Sequence, residues 1–393
     1  MALAVLAGQH PDQMDEYKLS RCFDPRRLAF CRDLSNSLLR HPKARDHPEL
    51  VALGFWLRES HLRQLEQRSQ TGSPSLVRRA LGLVLHFAPA NVDTLFVYSW
   101  VCSLLMGNSN VVRLSSQESP VTALLLDVLN DLFAQPEYRC VAEQNSFVNF
   151  PHDDPAAASL SLRANARVIW GGDDAVQAIR RLPCGPRCRD IPFTDRYSAA
   201  VINGDQLDAS NLQTLAERLW RDIHSYSQMA CSSPRILFWL GSTSHREALW
   251  SAVSALAGSE AWEPGRLNEH LVVSQWLQAT GASEAPGRLG HFSVLPLSGS
   301  YSEALNHHPG QGLCYLSEIN DLTGLTLLDE RCQTLGYWGV ERQKLLNLLE
   351  STPISGLERI VPIGSALDFS PWWDGMDLFA HLSCFTVIQS GAI

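Results

Sequence analysis

The sequence has no long apolar run. Its longest, Leu95 to Met106, is about half of what a bilayer-spanning helix needs. It also lacks a basic leader: Met1 to Gly8 is mildly apolar and runs straight into Gln9-His10-Pro11, which does not read as a secretory signal. A soluble, cytoplasmic protein with no membrane span is therefore the expectation. Positive charge is in deficit, with 32 basic against 41 acidic residues and a net charge of -9. Neither nucleic acid nor an anionic membrane attracts such a surface, so both are excluded as main partners. There is no internal repeat, no low-complexity tract and no regular cysteine framework. The ten cysteines are scattered, and in a cytosolic chain most are expected to be buried, reduced and inert. The one close pair, Cys184-Gly-Pro-Arg-Cys188, has no second ligand pair at zinc spacing, so no metal site is expected. A composition of 45% hydrophobic and 19% charged residues argues against disorder as the main state.

What is present is alternation. Leu81 to Phe87 reads as a buried strand, and a helix follows from Asp93 to Met106, stopped by Gly107-Asn108. Val111 to Leu114 is a short strand and Pro120 to Phe133 an amphipathic helix. Strands at 147–150 and 166–170 precede a helix from Asp173 to Arg181. Strands at 198–202 and 235–240 are followed by helices at 211–227 and 245–257, and a last strand is expected at 384–388. Strands alternating with helices of this length imply an α/β fold with mostly parallel sheets covered on both faces. The Gly-, Ser- and His-rich stretch 279–312 reads as loops.

One segment stands out chemically: 227-SQMACSSPRILF-238. Here a helix ends near Ser227 and a buried strand starts after Pro234, so Cys231 sits in a small-residue connection between two rigid elements. Taken alone, Cys231 has two readings, an inert buried thiol or a nucleophile presented to a cleft. Asn91, in the turn after Pro89, likewise reads as an ordinary turn residue or as a donor. Gly171 and Gly172, where a strand meets a helix N-terminus, suit close approach of phosphates, although Asp173 and Asp174 would repel them. His224, His307 and His308 read as surface or core histidines.

From Leu81 onward the order of motifs resembles that of aldehyde dehydrogenases, and most of all the acyl-CoA reductase family that includes the fatty-acid reductase of bacterial bioluminescence. The resemblance is carried by 88-APANVDTLFVYSWVCSLLMGNSNVVRLSS-116, 168-VIWGGDDAVQAIRR-181, 190-DIPFTDRYSAAVI-202, 228-QMACSSP-234 and 359-RIVPIGSALDFSPWWDG-375. It covers residues 80 to 390, and the first seventy residues have no counterpart in it. It implies an aldehyde dehydrogenase-like fold: a Rossmann-type cofactor domain plus an α/β catalytic domain. The implied division is an N-terminal helical region (1–72), a nucleotide-binding domain (73–204), a catalytic domain (205–365) and a C-terminal segment (366–393). That last segment returns to the cofactor domain or forms an oligomer contact.

The activity implied is NAD(P)H-dependent reduction of an acyl thioester to an aldehyde. Cys231 would form the thioacyl-enzyme, and the Asn91 side chain with the Cys231 N–H would stabilise the oxyanion, each such donor worth a few kcal/mol. Arg113, with Ser115 and Ser116 beside it, would fork onto a 2′-phosphate, favouring NADPH over NADH; a solvated basic residue is the other reading. Gly171 and Gly172 would face the cofactor phosphates. The acyl donor would be carried by CoA, a carrier protein or a partner acyl synthetase, and the enzyme would be a homo-oligomer. An aldehyde-oxidising dehydrogenase and a non-catalytic scaffold remain as alternatives. Against oxidation, Phe193 falls where such enzymes place the Glu that activates water, and no Glu occurs from Cys184 to Leu215.

Overall fold

The computed structural model describes residues 3–14, 19–70, 75–89, 93–117, 119–151, 153–258, 265–283, 285–298, 301–352 and 354–389. They form two compact units, Met1–Thr194 with Met376–Ile393, and Asp195–Gly375. No helix among the described residues is long and apolar enough to cross a membrane.

The first unit holds strands β1 (Ala4–Gly8), β2 (Leu76–Ala80), β3 (Leu83–Phe87), β4 (Ser109–Arg113), β5 (Asn145–Asn149), β6 (Ala166–Trp170) and β7 (Arg189–Phe193). Its helices are α1 (Pro25–Arg40), α2 (Pro48–Trp56), α3 (Glu59–Arg68), α4 (Leu95–Leu105), α5 (Pro120–Phe133), α6 (Arg139–Ala142), α7 (Pro155–Arg163) and α8 (Asp173–Arg180). Three of them start on a cap followed by proline: Asp24-Pro25, Ser119-Pro120 and Asp154-Pro155. In each the cap side chain accepts a first-turn N–H that the helix leaves unpaired.

Six strands form a sheet in the order β1-β5-β4-β3-β6-β7, parallel except for β1, which runs antiparallel to β5. Counted from β3, the parallel strands run third-second-first-fourth-fifth. This is the strand order of a doubly wound sheet up to its fifth strand, with the switch point where the order reverses, beyond the carboxyl ends of β3 and β6. β3, β4 and β6 are buried along their whole length, as strands covered on both faces must be.

The second unit holds β8 (Tyr197–Asn203), β9 (Pro234–Leu240), β10 (Ser293–Pro296), β11 (Leu313–Ile319), β12 (Cys332–Trp338) and β13 (Arg359–Pro362). They form an all-parallel sheet ordered β10-β11-β9-β8-β12-β13. Its helices are α9 (Leu212–His224), α10 (Arg246–Ala257), α11 (Arg266–Ala279), α12 (Tyr301–Asn306) and α13 (Arg342–Ser351). The period of two is visible in the core. Ala199, Val201, Ile236 and Phe238 pack with Leu277, Tyr301 and Leu345 of α11, α12 and α13 on one face. Ala200, Ile202, Leu237 and Trp239 pack with Leu219, Leu249 and Trp250 of α9 and α10 on the other.

Several boundaries differ from those read in the sequence. The strand β8, assigned above to residues 73–204, pairs with β9 and β12 and so belongs to the second unit. The start of that unit is therefore 195 rather than 205. Residues 1–72 are built into the first unit: β1 extends its sheet, and Arg27 of α1 is buried, donating to the carbonyls of Leu104 at 2.7 Å and Asn108 at 2.8 Å. Of the segment 366–393, residues from Met376 on cluster with the first unit, where Ser383–Val387 pairs with β2. The stretch 279–312 contains an edge strand, β10, and α12; both are short and their Gly/Ser/His flanks hide them.

A single guanidinium organises the far side of the first sheet. Arg167 of β6, 1% exposed, grips Asp190 of β7 through two parallel bonds of 2.7 and 2.8 Å. It also donates to the hydroxyl of Ser161 and to the carbonyls of Ile179 and Leu182. Arg167→Met should take from Asp190 its two-bond partner and from the Ser161 hydroxyl and the Leu182 carbonyl this donor. It should lower unfolding stability by about 3 kcal/mol, the low end for a broken buried pair because Asp190 keeps Arg180 at 3.8 Å and some access to water. Urea denaturation checks this; an unchanged midpoint would show that the network contributes nothing net.

Candidate active site

Cys231 lies in the second unit, between α9 and β9. The helix expected to reach Ser227 ends at His224, because Tyr226, Ser227 and Gln228 all adopt left-handed backbone, with φ of 54°, 52° and 64°. Three consecutive non-glycine residues in that region cost roughly 3–6 kcal/mol together. The turn persists because Gln228 is fully buried and its amide is saturated. Nε2 donates to the carbonyls of Pro234 at 2.7 Å and Leu313 at 2.8 Å, and Oε1 accepts the Gly312 N–H at 2.8 Å. The Gln311 N–H adds a bond to the Ser227 carbonyl at 2.9 Å. The nucleophile turn is thus clamped to the amino ends of β9 and β11.

The carbonyl of Cys231 is fixed as well. The Ser198 hydroxyl, buried at the start of β8, donates to it at 2.7 Å and itself accepts the Thr334 N–H of β12 at 3.2 Å. Nothing among the described residues accepts a hydrogen bond from the Cys231 N–H, which leaves that donor available to an oxyanion.

The thiol is half-buried, and burial is the largest influence on it, raising its pKa. A hydrogen bond from the Arg196 main chain opposes that. Asp374 and Asp195 raise the pKa further, while the Arg235 guanidinium lowers it. Asp374 is itself buried, accepts a hydrogen bond from Gln333, and has its carboxyl pushed up to about 6, chiefly by burial. Gln228, Ser198, Arg235 and Asp374 were all missed in the sequence reading. Gln228 stood in the quoted motif without a role, and the others carry no local signature.

The remaining candidates fall as follows. Asn91 lies outside the described residues. Arg113 ends β4 and is buried, its guanidinium donating to the Phe150 carbonyl at 3.1 Å beside the Phe150 ring. Ser115 accepts the Gln117 N–H, which leaves its own O–H to donate, and Ser116 donates to Asn149. Gly171 and Gly172 follow β6, at the carboxyl end that forms the switch point. Gly171 donates its N–H to Phe193, and Gly172 caps α8. A side chain added at Gly172 would meet nothing within 4 Å, so open space lies at this helix N-terminus. Gly172 and the first turn of α8 are exposed, an arrangement open to an anion such as a phosphate, with Asp173 and Asp174 the opposing charges.

Phe193 is buried and stacked on Trp170 with ring centroids 3.8 Å apart. The exposed His224 stacks on Trp220, and His307 lies against Trp276. His308 accepts the Gly310 N–H at Nδ1 and so donates from Nε2 to Leu313, and burial holds its pKa well below the usual value. It is a neutral structural ring.

The charges around Cys231 predict shifts of opposite sign. Removing the cation in Arg235→Ala raises the thiol pKa and moves the pH profile of Cys231 alkylation to higher pH; removing the anion in Asp374→Asn moves it lower. Iodoacetamide labelling followed by peptide mapping measures both, and two profiles superimposing on wild type would discard this electrostatic account.

The sequence signature of the Acyl-CoA reductase (LuxC) family matches residues 57–264, just over half of the 393-residue chain. No curated protein matches the sequence. Solved structures similar in fold include aldehyde dehydrogenase 21 from Physcomitrella patens in complex with the reaction product succinate. It is 12% identical, with a TM-score of 0.67 over 92% of this chain and 85% of that one. The aldehyde dehydrogenase KauB from Pseudomonas aeruginosa is 13% identical, with a TM-score of 0.67 over 93% and 83%. An NAD-dependent benzaldehyde dehydrogenase from Corynebacterium glutamicum is 14% identical, with a TM-score of 0.63 over 94% and 86%. The expected α/β fold of aldehyde dehydrogenase type is therefore the one observed, and the chain belongs to the LuxC family of acyl-CoA reductases.

Proposed function

We propose that the protein reduces an acyl thioester to an aldehyde with a nicotinamide cofactor, through a thioacyl bond on Cys231. The observation that carries this reading is the anchoring of Cys231. A strained turn clamped by Gln228 and a carbonyl held by Ser198 fix a thiol among small neighbours, with its own N–H unpaired among the described residues. An inert structural thiol needs none of that.

In the proposed reaction the Cys231 sulfur, once deprotonated, adds to the thioester carbonyl. Its main-chain N–H, with the Asn91 amide, takes the negative charge that develops on oxygen. Collapse expels the carrier thiol and leaves the acyl group on Cys231. The nicotinamide, when bound, supplies the hydride that converts this thioester to an aldehyde. Gly171, Gly172 and the first turn of α8 are the residues proposed to hold its pyrophosphate. A preference for NADPH requires Arg113 to exchange the Phe150 carbonyl for a 2′-phosphate, so both cofactors stand in the proposal. The acyl donor is a thioester of CoA, a carrier protein or a partner synthetase. Self-association, which the resemblance implies, belongs to the same reading.

Two outcomes test it. Cys231→Ser should lose reductase turnover on the order of a thousandfold or more, because a hydroxyl without a dedicated base is a far weaker nucleophile than a thiolate. Labelled acyl-CoA without cofactor should mark wild type and not the variant. Retained turnover or label in Cys231→Ser removes this thiol from the mechanism, and a wild type that takes no label from any thioester makes the protein a scaffold.

The second outcome concerns water. A ring stacked on Trp170 at position 193 cannot act as a base, so the acylated enzyme should hydrolyse slowly and aldehyde should convert poorly to free acid. Rapid formation of carboxylate from aldehyde and NAD(P)+ without a thiol acceptor would replace the reductase reading with an oxidising dehydrogenase.

A further inference from the structure

The loop that joins α8 to β7 carries the cysteine pair noted in the sequence, and it is built more firmly than a connector requires. Gly185-Pro186-Arg187-Cys188 is a β-turn, with the Cys188 N–H donating to the Gly185 carbonyl at 3.0 Å and proline at the position where its fixed φ favours the turn. Both ends of the loop are held by one buried group: Arg167 donates to the Leu182 carbonyl at the entry and grips Asp190 just past the exit. The turn brings the residue before it, Cys184, back toward Cys188, near enough for its thiol to act on that of Cys188. Cys184 is exposed and Cys188 half-buried against the core, so one sulfur faces solvent and the other backs it. Among the described residues no group of three or more His, Cys, Asp or Glu is placed to hold a metal ion, so this pair is not completed as a metal site.

We propose that Cys184 and Cys188 form a redox-active dithiol that closes to an intramolecular disulfide by exchange with a low-molecular-weight disulfide such as oxidised glutathione. Cys184, the accessible sulfur, loses its proton and attacks one sulfur of the oxidant; the S–S bond of the oxidant breaks and one thiolate leaves, giving a mixed disulfide on Cys184. Cys188 then loses its proton and attacks the Cys184 sulfur, and the second thiolate leaves. The protein gives up two electrons and two protons, and the oxidant becomes two thiols. The turn and the Arg167 anchors have already placed the two side chains, so little ordering remains for ring closure. Burial pushes the Cys188 thiol up to about 11, with Arg167 nearby opposing it and Cys184 and Asp190 adding to it, so the second attack draws on a small thiolate fraction.

The full-length protein is incubated with oxidised glutathione, quenched with an alkylating agent and digested with trypsin. In wild type the fragments Leu182–Arg187 and Cys188–Arg189 should stay joined through sulfur and separate on reduction. Cys188→Ser and Cys188→Ala should instead retain glutathione on Cys184, and Cys184→Ser should yield neither the joined fragments nor an adduct at Cys188. Thermal melting of each variant confirms that it folds. A glutathione adduct on Cys184 that persists in wild type as long as in the Cys188 variants overturns the proposal. So does a wild-type protein left unmodified at both positions, or joined fragments that involve any other cysteine.

Discussion

One buried amide holds the candidate site in place. Gln228 stands at the end of three left-handed residues, a conformation that the chain leaves unless something over-determines it. Its side chain satisfies three main-chain groups from β9, β11 and the turn before β11, so strain in the turn and order in the sheet are two sides of one arrangement. With the Cys231 carbonyl tied to Ser198, the thiol is presented from a frame that cannot relax without breaking buried hydrogen bonds. Such a frame suits a group that must meet a carbonyl carbon within a few tenths of an ångström.

The electrostatics around that thiol do not favour a resting thiolate. Burial dominates, and the one nearby guanidinium, Arg235, is set against Asp374 and Asp195. This separates position from activation: the fold delivers the sulfur to a defined place without lowering its pKa. In the first unit the open space at Gly172 is a parallel case, a backbone feature with no side chain to select what approaches it.

The sequence made many of the parallel strands legible because they are buried on both faces and appear as short, mostly apolar runs, such as Leu83–Phe87 around His86 and Ala166–Trp170 around Arg167; β11 and β12 were not read. Of the three helices capped by Asp or Ser and opened by Pro, only Pro120–Phe133 was read; Pro25–Arg40 and Pro155–Arg163 were not. What stayed hidden was whatever depends on partners far along the chain. β8 looks like any buried strand, and only its pairing with β9 and β12 moves it to the second unit. The bond from Arg113 to the Phe150 carbonyl, 37 residues away, could likewise not be read from its own segment. Ser198 and Asp374 are unremarkable in their segments, and their roles come from distant neighbours. Cys231 could be singled out because its surroundings, small residues between a helix and a strand, are local.

The pairing of Ser383–Val387 with β2 places one strand of the first unit after the whole of the second along the chain. The whole of Asp195–Gly375 is therefore synthesised as an insertion before the first unit can close. Until then the Asn108 amide lacks the Leu382 carbonyl that it later donates to at 2.7 Å, and Arg189 lacks the carbonyls of Ala380, His381 and Ser383. During translation the second unit has all of its strands while the first waits with a ribbon edge unpaired. On the ribosome, the unit carrying Cys231 can mature first, and the first unit is sealed only when the stretch that follows Gly375 has emerged.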